Sequence, residues 1–169
     1  MKTLIVGLGN PILGDDGIGW RVAEKAQREL FGATSKLDQS HQIDFEFLSL
    51  GGISLMEHLI GYDQAVIIDA IHTGNELQGK ISVFPLEELT GKPQGHLSSS
   101  HDTSLPDAIK MGQLMGAQLP QEITIIAIEA QNVYNFSEEL SPAVANAIPD
   151  AISELKHILF KENKTHDFP

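Results

Sequence analysis

Four side chains in this chain have the chemistry of a hydrolytic or metal-engaging site: the adjacent carboxylates Asp15 and Asp16, the carboxylate Asp69 and the imidazole His101. An aspartate pair with one histidine is an O/O/N donor set that suits a borderline divalent ion such as nickel or zinc. The spacing from Asp16 to Asp69 to His101 is 53 and then 32 residues, which is no local metal motif. Only a fold can bring them together. Each also has a plain structural reading. Asp15 or Asp16 can cap a helix, Asp69 can close a turn, and His101 with Asp102 can be a solvated pair. Other chemistries are excluded. The chain has no cysteine, hence no thiolate nucleophile, disulfide or thiolate-held zinc. No His-Glu-x-x-His is present. Ser99, Ser100, His101 and Asp102 are sequence neighbours without a Gly-x-Ser-x-Gly elbow, so they do not make a serine triad. Of the remaining histidines only His72, three residues after Asp69, falls near the candidate set, as a supporting or surface residue.

The elements that must position these groups are legible from apolar periodicity. Residues 4–6 form a buried strand, and residues 7–19 a glycine-rich turn carrying both aspartates. An amphipathic helix follows over residues 20–30. Further strands are expected at 43–50, 65–69, 80–84 and 123–128, and helices at 53–60, 105–115 and 143–160. Pro106 suits the first turn of its helix, and Ser141 with Pro142 opens the last. Strands alternating with helices imply an α/β three-layer sandwich, with a twisted, mostly parallel sheet and helices on both faces. In such a sheet ligands bind beyond the carboxyl ends of the strands, where Asp15/Asp16, Asp69 and His101 all fall. Residues 1–160 read as a single domain and 161–169 as a flexible tail. Two connections, 85–104 and 129–139, are long enough to carry function.

Composition narrows the class further. With 169 residues, 41% apolar content and no apolar run near 18 residues, this reads as a soluble globular chain with no membrane partner. No basic segment followed by a long apolar one opens it, and the lack of cysteine suits a reducing cytoplasm, which is the expected location. A formal net charge of −12 argues against nucleic acid as a partner and favours a basic or metal-bearing surface. The turn Gly7-x-Gly9 lacks the third glycine of a dinucleotide loop, since Ile12 stands there, and its aspartates would face a pyrophosphate.

In order along the chain, Gly7-Leu8-Gly9-Asn10-Pro11-Ile12-Leu13-Gly14-Asp15-Asp16-Gly17-Ile18-Gly19 is followed by Gly51-Gly52 and Ile68-Asp69-Ala70. Ser99-Ser100-His101-Asp102 and Leu140-Ser141-Pro142 complete the series. This order and spacing resembles the hydrogenase maturation endopeptidases over residues 3–155. The resemblance implies an α/β sandwich of the phosphorylase/hydrolase-like kind. It implies a protease, of aspartyl type, that removes the C-terminal extension of a nickel–iron hydrogenase large-subunit precursor after nickel insertion. It carries the catalytic and metal-contacting roles onto Asp16, Asp69 and His101. Nickel is then the metal, brought by the precursor, and no organic cofactor is expected. Nickel either polarises the scissile carbonyl or a water, or only positions the bond while a carboxylate acts as base. Asp15 is expected to cap the helix. A nickel-binding maturation chaperone without proteolysis is the alternative. The opening residues also resemble peptidyl-tRNA hydrolases, but no histidine occurs before His41, and the acidic charge disfavours tRNA.

Overall fold

The computed structural model describes residues 1–31, 41–91 and 104–160. Five strands form one sheet: β1 Lys2–Leu8, β2 Gln42–Leu48, β3 Gln64–Ile71, β4 Ile81–Pro85 and β5 Glu122–Glu129. Their order is β2-β1-β3-β5-β4, parallel throughout except β4, which runs antiparallel to β5 at the edge. The helices are α1 Ile18–Phe31, α2 Gly52–His58, α3 Leu105–Leu114, α4 Pro142–Asn146 and α5 Ile148–Phe160.

Strand alternation explains the layers. Leu4, Val6, Ile67 and Ile125 face one side and meet Leu55 of α2, Leu59 just past its end, and Leu105 and Ala108 of α3. Ile5, Val66, Ile68 and Ile126 face the other and meet Val22, Ala26, Ala151 and Leu155 of α1 and α5. Central strands of a parallel sheet are covered on both faces, so they read as nearly unbroken apolar runs. The expected three-layer α/β sandwich with a mostly parallel sheet is the fold observed. Element limits differ from the sequence reading by one or two residues, with one larger departure. The single helix expected over 143–160 is two helices, broken at Ala147, which ends α4. Pro149 is the cause: it has no N–H to continue the ladder, and its ring excludes the carbonyl four residues back.

The topology fixes where a ligand goes. From β1 the chain moves outward to β2 on one side and to β3 on the other, which makes the β1/β3 boundary the switch point of the sheet. Asp16 lies just past β1. Asp69 does not close β3, as expected, but lies two residues inside it. It pairs with Ala127 of β5, while the ladder to β1 has already ended at Gly7 and Ile68. Asp69 is therefore in-strand on one side and at the crevice on the other. No helix among the described residues is long and apolar enough to cross a membrane.

Candidate active site

The turn after β1 is built around a close approach. Gly9 has φ of +121°, a region that side-chain-bearing residues rarely enter, and a Cβ there would overlap the Asp16 carbonyl oxygen. The chain thus folds back so that the Asn10 N–H donates to Asp16 Oδ2 at 2.6 Å. Asp16 is half-buried and aimed by that bond. Gly19, at the start of α1, lets the helix lie against the Leu8 and Ile68 carbonyls, where a Cβ would again overlap backbone. The helix start is thereby pressed onto the strand ends next to Asp69. From the β2 side, Gly9 N–H donates to the Leu48 carbonyl at 3.0 Å and Ser49 Oγ donates to the Gly9 carbonyl at 2.6 Å.

Asp69 is 2% exposed, and its Oδ2 is a buried oxygen with no hydrogen-bond partner. Burial pushes the Asp69 carboxyl well above its ordinary range, and the negative charge of Asp16 pushes it further the same way. A backbone hydrogen bond at Ala70 pulls it partly back. The structure therefore brings Asp16 and Asp69 into one electrostatic site at the switch point. An orphaned carboxyl oxygen beside a second carboxyl group is costly unless something positive comes between them. The donors the pair presents are carboxyl oxygens, the kind that hard and borderline cations take. His101 lies outside the described residues, as do 92–103 generally and the 161–169 tail. Among the described residues no cluster of three His, Cys, Asp or Glu can hold a metal by itself.

Asp15 has a different fate from the one expected. The Gly14–Gly17 segment is a 3-10 turn without a side-chain cap, so Asp15 does not cap a helix. It is fully buried and accepts four hydrogen bonds. Ser141 N–H donates to Oδ1 at 2.7 Å; Ser141 Oγ, Gln78 Nε2 (3.1 Å) and Asn132 N–H (3.3 Å) donate to Oδ2. Ser141 occupies the cap position of α4, but its hydroxyl makes no cap bond and serves Asp15 instead. One carboxyl group thus ties the site turn to the loops around residues 78 and 132–141. Sequence reasoning missed this because the partners are 63 to 126 positions away. Glu129, also missed, is the third buried acid among the described residues: it accepts from Thr73 N–H and Thr73 Oγ1, both 2.9 Å, and from Gly74 N–H at 3.2 Å. His72 is exposed and supports the surroundings, its Nδ1 bonded to the Ala130 carbonyl at 2.8 Å.

The fold and site together are an open α/β sheet with two carboxyl groups at its switch point, in a chain without a thiol. Comparison with known proteins gives the class. A family model described as hydrogenase maturation protease matches residues 40–158, a span that includes Asp69 and His101 and begins after Asp16. Hydrogenase expression/formation protein HupD of Rhizobium leguminosarum bv. viciae is 25% identical over 160 residues, covering 94% of this chain and 74% of that protein. The hydrogenase 2 maturation protease of Escherichia coli (strain K12) is 24% identical over 159 residues, 92% of this chain and 88% of its own. Among solved structures, the hydrogenase maturating endopeptidase HybD from E. coli aligns with a TM-score of 0.74 at 22% identity, covering 96% and 94% of the two chains. The [NiFe] hydrogenase maturation protease HybD from Thermococcus kodakarensis aligns with a TM-score of 0.63 at 25% identity, covering 94% and 99%. The chain belongs to the hydrogenase maturation protease family and is an endopeptidase.

Proposed function

We propose that this endopeptidase removes the C-terminal extension of a nickel–iron hydrogenase large-subunit precursor after nickel insertion, and that Asp16, Asp69 and His101 engage the nickel that the precursor carries. The observation that carries this reading is the buried, partnerless Oδ2 of Asp69 beside Asp16. A site with two carboxyl groups and an open oxygen is half of a coordination sphere, and the substrate supplies the ion. Ser104, three residues beyond His101 in the sequence, caps α3 by accepting from Asp107 N–H at 3.3 Å. The other end of α3 leads to the amino end of β3, where Gln121 N–H meets the Asp63 carbonyl and Gly61 N–H the Gln118 carbonyl. The start of α3 is accordingly at the carboxyl end of the sheet, with Asp69. This supports a role for His101 as third ligand.

When nickel arrives with the precursor it supplies a Lewis acid at the scissile amide. The chain's own residues do the rest. Asn10 N–H holds Asp16 in one orientation. Burial and Asp16 bias the Asp69 carboxyl towards its neutral form, and it would have to be deprotonated to ligate the cation. Water then adds across the peptide bond, its oxygen going to the carbonyl carbon and a proton to the leaving amine.

The test is processing of a nickel-loaded and a nickel-free precursor by the wild type and by Asp16→Ala, Asp69→Ala and His101→Ala. Shortening of the loaded precursor alone, lost in all three variants, is the expected result. Normal cleavage by all three variants overturns the site. Nickel capture by the chain without any change in precursor length points to a chaperone instead.

A further inference from the structure

Large apolar side chains are exposed on the turn that leads to Asp16 and on the loop bonded to it. Ile12, Tyr134 and Phe136 are 46%, 76% and 86% exposed. Scattered exposed apolar side chains are ordinary, but a contiguous group of large ones beside a reactive site is not. The two segments that carry them are joined through backbone, with Ile12 and Phe136 at neighbouring positions of one bridge. Ser137 N–H donates to the Ile12 carbonyl at 3.0 Å and Gly14 N–H to the Ser137 carbonyl at 2.7 Å, with Leu13 and Ser137 bridged. The loop is also anchored from beneath: Val133 is buried in the core shared with α1 and α5, and Asn132 and Ser141 are bonded to Asp15. The loop is anchored on its inner side, while Tyr134 and Phe136 are exposed. Glu138 and Glu139, both exposed, follow immediately.

We infer that Ile12, Tyr134 and Phe136 form a shelf on which the polypeptide substrate docks beside its scissile bond, accepting bulky apolar side chains flanked by a basic one. The shelf adjoins the turn that presents Asp16, so a polypeptide seated on it lies beside that carboxyl group. The acidic pair at its rim and the chain's net charge of −12 select the basic neighbour. Aromatic anchors rimmed by charge are the composition of an interface hot spot. This inference rests on the proposed precursor-processing function.

The experiment measures cleavage of nickel-loaded precursor at varied precursor concentration by the full-length wild type and by Tyr134→Ser/Phe136→Ser. The double variant is expected to raise KM about tenfold or more while kcat falls less than about threefold. Tyr134→Phe/Phe136→Leu, which keeps the apolar surface, is expected to return KM to within about threefold of wild type. Glu138→Lys/Glu139→Lys is expected to raise KM and to flatten its dependence on salt. Unaltered melting temperature shows that the exposed substitutions leave the fold intact. If the double variant melts below the assay temperature, Phe136→Gln alone carries the test. Wild-type cleavage with an unchanged KM in the serine variant overturns the shelf and leaves the proposed function standing. No cleavage by the wild type overturns the proposed substrate and, with it, a shelf defined for that substrate.

Discussion

Two buried aspartates, Asp15 and Asp69, lie near the same strand ends and are treated in opposite ways. Asp15 receives four donors from three segments of chain, so its oxygens are spent on structure. Asp69 keeps one oxygen with no partner and sits in the field of Asp16. Buried polar groups in folded proteins are almost always satisfied, and an exception calls for a reason. On the proposed function the reason is catalytic: the saturated acid builds the frame, and the unsatisfied one is left open for the cation that the precursor carries. Replacing each acid separates the two roles.

The largest effect is expected at the unsatisfied acid. Asp69→Asn keeps the shape but removes an anionic ligand, and precursor cleavage should fall by about 10²-fold or more. Stability should move the other way. The folded-state pKa of Asp69 is raised above its unfolded value, so the folded protein is favoured fully at pH below the unfolded value, about 4. That advantage is lost as pH rises towards the folded value, because the unfolded state releases its proton first. Denaturant titrations from pH 4 upward should therefore show the wild type losing stability relative to Asp69→Asn as the pH rises. A variant that is both inactive and less stable at pH 7 would make Asp69 a structural acid like its neighbour.

Asp15→Ala is expected to do the reverse, with stability as its main casualty. It leaves the Ser141 N–H and hydroxyl, Gln78 and Asn132 without their acceptor, and the loss should be about 3 kcal/mol, read as a shift in denaturation midpoint. Ser141→Ala removes one donor from the same network and should cost about 1–2 kcal/mol. Both variants also loosen the tie that holds the 132–141 loop, so KM for precursor should rise in each. If Asp15→Ala melts like wild type, the saturated network contributes nothing and the contrast with Asp69 fails. Gly9→Ala comes next: it forces a Cβ into a left-handed backbone position against the Asp16 carbonyl, at about 1–3 kcal/mol, and should lower cleavage by shifting Asp16.

The strands, the layering and the turn that carries Asp15 and Asp16 were legible because each is written in nearby residues. Leu4-Ile5-Val6 and Ile123–Ile128 are apolar runs, and the turn between β1 and α1 is dense in glycine. Asp69 was legible as a strand-end acid from the run Val66-Ile67-Ile68, although it lies inside the strand. That offset comes from β3 pairing with β5 for two positions past Asp69, after the ladder to β1 has ended. The role of Asp15 was not legible. A carboxyl group at a helix start has a local reading as a cap, and nothing near it announces partners at 78, 132 and 141. The break in the last helix was available in Pro149 but was masked by strong apolar spacing on both sides of it. Local signals report the chain's own neighbourhood, whereas a hub is defined by what the fold brings to it.

Glu129 tests the comparison at its weakest point, because it is a buried acid at a strand end that resembles Asp69 in position and Asp15 in bonding. All its donors come from Thr73 and Gly74, the segment that leads to Gln78, and Gln78 in turn donates to Asp15. Glu129→Gln keeps an amide oxygen for the two backbone N–H groups, and the Thr73 hydroxyl can turn to accept from the new NH₂ group. The expected loss is only about 0.5–1.5 kcal/mol, with cleavage within about twofold of wild type. Glu129→Ala removes the acceptor altogether and should reach Asp15 through Gln78. Combined with Asp15→Ala, its effect should therefore fall short of additivity by about 0.5–1 kcal/mol in a double-mutant cycle. Strict additivity would show that the two saturated acids hold separate loops, and that the frame around Asp16 and Asp69 is two supports rather than one.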